Sequence, residues 1–331
     1  MNLVRAEFGR LAARRFVQLM VVLLVAAFTV TVLATLAGSR QPDAGEIQMA
    51  QQQADERRME IGGLYDDCRQ LEASGQSPAD HYARDCEDLN PARIDASDHL
   101  PGVFVFDRQI RELAYFLIAF LCLFGFLVGA SYIGADLTSG GMTNLLLWRP
   151  QRLLVLGTKL GTLLVGVLGL SLVSTVLYIA SFRLVGEVRG MPGVADAQFW
   201  ADLLLLLTRG LTLVLVASTL GFAIATLGRH TSAALGAAAA YGVVWEGGLR
   251  IVLEIVDAAR PDVWMLSSYL GAWISGGLRF FANVDCFVTP ERPVCDTSYT
   301  IGWPVGLAVL LGLVLVVVGA AFATFRRRDL A

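Results

Sequence analysis

Apolar residues in this chain fall in long runs, and the charged residues gather between them. A hydrocarbon layer about 30 Å thick is crossed by roughly 20 apolar residues in a helix. Six stretches have that length: Phe16 to Ala37, Leu113 to Gly134, Leu160 to Phe182, Arg209 to Leu227, Ala233 to Leu253 and Gly302 to Phe325. The fifth carries Glu246, Arg250 and Glu254 near its end, and its apolar part could stop around Trp245. The fourth follows Phe199 and Trp200, an interfacial lead-in, so Arg209 either opens the span or sits deeper if the span starts near Trp200. The pattern predicts an all-α polytopic membrane protein with six transmembrane helices.

Residues 1–15 read differently. Leu3, Val4, Phe8 and Leu11 share one helical face, with Arg5, Arg10 and Arg14 away from it, which suits an amphipathic helix lying in the membrane interface. A basic start, an apolar run and Thr35-Leu36-Ala37 also outline a cleaved signal peptide, but the run over 16–37 is too long for one.

Composition agrees with a lipid environment: the 331 residues are 55% hydrophobic and 17% charged. The net charge of −3 gives no basic field for nucleic acid, so what matters is where the charges lie. Arg5, Arg10, Arg14 and Arg15 precede the first span, and Arg149, Arg152 and Lys159 lie between the second and third. Arg229 lies between the fourth and fifth, and Arg326, Arg327 and Arg328 follow the sixth. All four groups fall on one side, which the positive-inside rule makes cytoplasmic together with both termini. Arginine-rich, lysine-poor usage suggests a bacterium with GC-rich coding, hence the bacterial inner, or plasma, membrane.

The long segment 38–112 then lies outside as an insertion between the first two spans. Ile47, Ala50, Ala54, Arg57, Ile61, Leu64, Cys68 and Leu71 recur at spacings of three and four, predicting a helix that Gly62 and Gly63 interrupt and Gly75 ends. Ser77, Pro78 and Asp80 announce a second helix carrying Tyr82, Cys86 and Leu89 on one face. Cys68 and Cys86 fall in this insertion, Cys286 and Cys295 in the last outer loop, and Cys122 inside a span as a packing residue. Pairing Cys68 with Cys86 and Cys286 with Cys295 is the simplest connectivity among three arrangements, and the first pair would staple the helical hairpin. The hairpin serves as a lid, a vestibule or a docking surface, or it is an inert elaboration.

Between the second and third spans runs Gly134-Ala-Asp-Leu-Thr-Ser-Gly-Gly-Met-Thr-Asn-Leu-Leu-Leu-Trp-Arg-Pro-Gln-Arg, followed by Leu156-Gly-Thr-Lys159-Leu-Gly161. An acidic residue, glycines, a short apolar helix, an Arg-Pro break and a basic start to the next span form a compact rigid element. This stretch resembles the type-2 ABC transporter permeases, on Asp136, Gly140, Gly141, Leu145, Leu146, Leu147, Arg149, Pro150, Arg152 and Lys159. The family's acidic position is more often glutamate. The amphipathic start, six spans and basic end Phe325-Arg-Arg-Arg-Asp-Leu fit the same family over nearly all the chain except the insertion 38–112.

The resemblance implies that residues 137–148, within the loop 135–152 of the five-span core 113–331, form a coupling helix that docks on a separate ATPase. Asp136, Arg149 and Arg152 would make the polar contacts. ATP and Mg would belong to that ATPase, because this chain has no phosphate-binding Gly-x-x-x-x-Gly-Lys loop. Two ATPase copies and a second permease, identical or related, would complete an exporter in the lipid bilayer for an amphipathic or hydrophobic substrate. No enzymatic activity or metal site is expected, since His81, His99 and His230 are scattered. In the family the second and fifth spans line the pathway, which makes Phe116, Phe120, Phe124 and Tyr241 contact candidates, and the region 246–301 forms short re-entrant helices near Trp264, Tyr269 and Trp273. Glu246, Arg250 and Glu254, spaced by four, either line the exit path or form a structural ion-pair ladder. Two other classes fit less of the pattern: a non-transporting sensor or scaffold whose ectodomain binds a ligand, and an ion-coupled carrier using Glu246 and Glu254.

Overall fold

The structure, a computed structural model, describes residues 2–74, 86–148, 151–282 and 297–327. Five of its helices are long and apolar enough to cross a membrane. They are α2 (Arg15–Gly38), α4 (Phe106–Thr138), α6 (Arg152–Arg189), α7 (Ala197–Gly228) and α11 (Trp303–Arg327). The first four each contain a predicted span and extend past it, while α11 starts at Trp303, one residue inside the stretch predicted over Gly302 to Phe325, and runs two residues beyond its end. At 1.5 Å per residue the 38 residues of α6 reach about 57 Å, so this helix projects well beyond the hydrocarbon layer.

The fifth predicted span takes a different form. Residues 231–255 are helical throughout but in three pieces: α8 (Thr231–Ala240), a π-helical stretch Tyr241–Leu249, and α9 (Arg250–Ile255). No piece alone has spanning length. The wide π-turn falls where Gly242, Gly247 and Gly248 relax the backbone.

The bundle is built around α4 and α7. Gly125 and Gly129 of α4 face Ser218, and Gly221 of α7 lies against the Phe126 backbone, so closely that a Cβ at any of these glycines would collide. Small residues one turn apart let two apolar helices approach where lipid offers no hydrophobic drive to bring them together. The small-residue stretch Gly221 to Thr226 has the packing role its composition suggests. Around this pair, Leu121, Phe124, Val128, Val214 and Phe222 form the buried core with residues of α6.

At the end bearing the insertion, the chain is tied down by backbone. Ser39 Oγ donates to the Arg189 carbonyl at 2.6 Å and accepts from Phe104 N at 3.0 Å, and Met191 N donates to the Phe104 carbonyl at 2.8 Å. From this collar rises α3 (Ala44–Ala73), opened by a capping box of Asp43 and Glu46. It runs through Gly62 and Gly63 without a break and ends just before Gly75, because neighbouring turns of good helix formers carry the two glycines. Cys68 and Cys86 are disulfide-bonded, with Cα atoms 5.6 Å apart. Residues 86–89 form a 3-10 turn rather than the end of a long helix, while the rest of the expected second helix lies outside the described residues.

The segment before the last span corrects an expectation of helices alone. After α10 (Leu266–Ser275) the chain makes an antiparallel pair, β1 (Gly277–Phe281) with β2 (Ser298–Gly302), in which Gly277 faces Gly302. Gly276 and Gly277 both have positive φ, which ends the helix and turns the chain outward. Phe280 and Tyr299 then stack across the strands with ring centres 5.7 Å apart. Cys286 and Cys295 lie outside the described residues.

Candidate functional site

The end of the bundle opposite the insertion holds α1 (Asn2–Ala12), the end of α4, the short helix α5 (Gly141–Trp148) and the start of α6. Four ionised side chains meet there. Lys159 of α6 donates to Glu7 Oε2 at 2.7 Å and to Asp136 Oδ2 at 2.6 Å. Arg14, in the turn between α1 and α2, pairs with the other oxygen of Asp136 and donates to the Ser131 carbonyl at 3.1 Å. Tyr132 donates its hydroxyl to Glu7 Oε2 at 2.6 Å, and its ring lies 4.9 Å from both Lys159 Nζ and the Arg14 guanidinium. Arg10 reaches Glu7 from the exposed side at 3.0 Å.

The side chains of Glu7 and Lys159 are each 1% exposed. Buried charges are tolerated only when paired and hydrogen-bonded, and here two carboxylates meet two cations across a phenol. Burial alone would raise the Glu7 carboxyl; hydrogen bonds from Lys159 and Tyr132 outweigh it and hold it below the usual carboxylate range.

The amphipathic helix is thus present as expected, but its contact with the bundle is ionic as well as apolar. Glu7 went unnoticed because the pattern of arginines and apolar residues explained α1 without it. Two signals were available. Lys159 is the chain's single lysine, and Glu7 is the one carboxylate among the residues before the first span.

From the cluster the chain passes directly into α5. Asp136 lies in the last turn of α4, and Gly140 has φ of 71°, a left-handed conformation that turns the backbone from α4 into α5 without Cβ strain. α5 begins at Gly141, buries Met142 and packs Leu145 on the core, while Leu147 stands 78% exposed. Leu146 lies within the same helix. Arg149 and Pro150 lie outside the described residues, and Arg152 begins α6. Asp136 is committed to Arg14 and Lys159 inside the chain, so it fixes the base of α5 rather than standing out from it.

The pathway candidates divide into two groups. Phe116, Phe120 and Phe124 follow one face of α4 beside a groove against α2, lined also by Met20, Leu23 and Val30. Tyr241 and Glu246 form a separate group against α10. Glu246 accepts from Tyr241 Oη at 2.7 Å, Ser267 N at 3.0 Å and Ser267 Oγ at 2.8 Å, and so caps the first turn of α10. Arg250 pairs with Glu254 at 3.3 Å and approaches Asp262 at 4.0 Å, away from Glu246. Of the expected ladder, the Arg250–Glu254 pair is present, while Glu246 serves α10 instead. Arg209 lies well inside α7, which already includes Trp200, and its guanidinium sits over the Trp273 ring at 5.9 Å. Cys122 is a free thiol packed against the core.

Long apolar helices packed through glycines, with a buried ionic cluster at one end, define a polytopic helical membrane protein. Residues 1–330 match the family model described as ABC-2 family transporter protein, and the chain belongs to that family. It is therefore a permease subunit of an ABC transporter, a membrane transport component that is not itself catalytic, from a family that implies an ATPase partner. No curated protein and no solved structure matches the chain.

Proposed function

We propose that this permease is the membrane subunit of an exporter, and that α5 is the coupling helix on which the ATPase docks. The observation that carries this reading is the construction of α5. It is a short helix hinged at Gly140, seated by Met142 and Leu145, offering Leu147 outward, and anchored at its base by Asp136 to Arg14 and Lys159. A push on α5 would reach α4, α6 and α1 together through that anchor. ATP and Mg are bound by the partner, with Arg149 and Arg152 supplying polar contacts beside Leu147. Both termini then lie on the ATPase side, the cytoplasmic face of a bacterial cell membrane.

Two permease copies over two ATPases complete the transporter. The helical run 231–255 supports this, since Ala234 is its buried residue while Val243, Val244, Ile251 and Ile255 are exposed. An amphipathic or hydrophobic substrate would pass between the copies, with Phe116 and Phe120 as contacts, while Phe124 is taken up by the core. An ion-coupled carrier would need Glu246 free to exchange its ion; its three hydrogen bonds to α10 and Tyr241 oppose that reading.

Affinity purification of the tagged chain from native membranes, wild type beside Leu147→Asp, tests the proposal. Recovery of an ATPase with the wild type and its loss with the variant is expected. A wild-type sample without any ATPase would overturn it.

A further inference from the structure

Next to the ionic cluster, between α1, α2, α4 and α6, lies an apolar cleft of about 500 Å³, bounded by Phe8, Leu11, Val17, Val21, Phe124 and Gly166. It opens where α1 turns into α2, and Gln18 and Val22 also line it. Two arginines flank its mouth by helical spacing. Arg5 precedes Phe8 by three residues and Ala12 by seven on α1, and Arg15 precedes Gln18 by three and Val22 by seven on α2. Both side chains are exposed and make no ion pair among the described residues, unlike Arg10 and Arg14, which are held by Glu7 and Asp136.

We infer that this cleft is a binding site for an anionic phospholipid, with one acyl chain between α1, α2, α4 and α6 and the phosphate at the level of Arg5 and Arg15. A membrane-depth apolar cleft rimmed by unpaired cations matches a molecule that joins a hydrocarbon chain to a negative headgroup. Charge argues against a second copy of this chain as the occupant. Among the described residues at this end, Glu7 and Asp136 are the carboxylates, and both are consumed by the buried cluster. A second copy would bring more arginines to a mouth that already has two.

The site also has a consequence for the permease. The lipid would brace α1 through Phe8 and Leu11, beside the face that carries Glu7, so the leaflet's charge would bear on the same helix that the ionic cluster holds. This inference stands apart from the ATPase reading and its test needs no partner.

The full chain is purified in mild detergent, exposed to equimolar phosphatidylglycerol and phosphatidylcholine, and weighed by native mass spectrometry. Wild type is expected to retain phosphatidylglycerol in preference, and Arg5→Gln with Arg15→Gln to lose about fivefold of that preference for each arginine removed. Arg5→Lys with Arg15→Lys should keep it, which separates charge from folding. Val22→Trp, filling the cleft, should reduce retention of both lipids. Equal retention of the two lipids by wild type, an unchanged preference in the glutamine variant, or a lipid-free dimer as the dominant species would each overturn the assignment.

Discussion

Glu7 and Lys159, separated by 152 positions in the chain, meet at 2.7 Å with both side chains shut away from solvent. This contact joins an interfacial helix to the first turns of a spanning helix, and through Asp136 it reaches the loop that carries α5. The pairing is what distinguishes α1 from a helix resting on the bilayer by its apolar face alone.

Removing one member of a buried ion pair strands the other, at a cost of about 3 to 5 kcal/mol. Lys159→Met should therefore lower stability by that order, leaving Glu7 and Asp136 facing each other. Glu7→Gln combined with Lys159→Met should recover part of the loss. Thermal melts of the four proteins in one detergent check this as a double-mutant cycle.

The cluster also sets a pH response. Because the Glu7 carboxyl is held below its unfolded value of about 4.3, its stabilisation is complete above that pH and is lost as pH falls through the lower folded value. Melting temperature should show no pH dependence from Glu7 between pH 8 and pH 5, where its stabilisation is complete, and should fall in stronger acid. In Glu7→Gln the acid-side fall should be shallower.

At the centre of the bundle, Gly129→Leu should be poorly tolerated. Its Cβ would overlap the Ser218 backbone, and neither helix can yield without breaking the seam. Loss of monodisperse protein after extraction is the expected result, whereas Gly169→Leu, which has open space at its Cβ, should extract normally.

In the insertion, Cys68→Ser should release a loop whose ends are 18 residues apart, with a stabilisation of about 3 kcal/mol at stake. The effect should be local. Limited proteolysis should cut the insertion faster, while the melting of the spanning helices stays unchanged.

The spanning helices were legible because lipid imposes a length and composition that few other environments demand. α5 was legible in part: an apolar run follows Gly140 in a basic loop, but the helix expected over 137–148 begins at Gly141, because Leu137 and Thr138 complete α4 and Gly140 takes the left-handed turn between the two. The ionic cluster was not legible. Its members come from α1, α4 and α6, and no local period in the sequence brings Glu7 to Lys159. The π-turn at Tyr241–Leu249 was hidden too, since Tyr-Gly-Val-Val-Trp-Glu-Gly-Gly-Leu contains no proline or other residue that a regular helix would refuse. Glu246 was noticed for its charge, but its role comes from Ser267, which distance in sequence concealed.

The most direct test of the coupling reading is a cross-linking experiment in native membranes with Leu147→Cys carrying a photoactivatable label, beside Val30→Cys as a control. The account predicts an adduct containing the ATPase from position 147 and none from position 30. Labelled Leu147→Cys that yields no ATPase adduct, in membranes where the ATPase is present and the transporter is active, would contradict it.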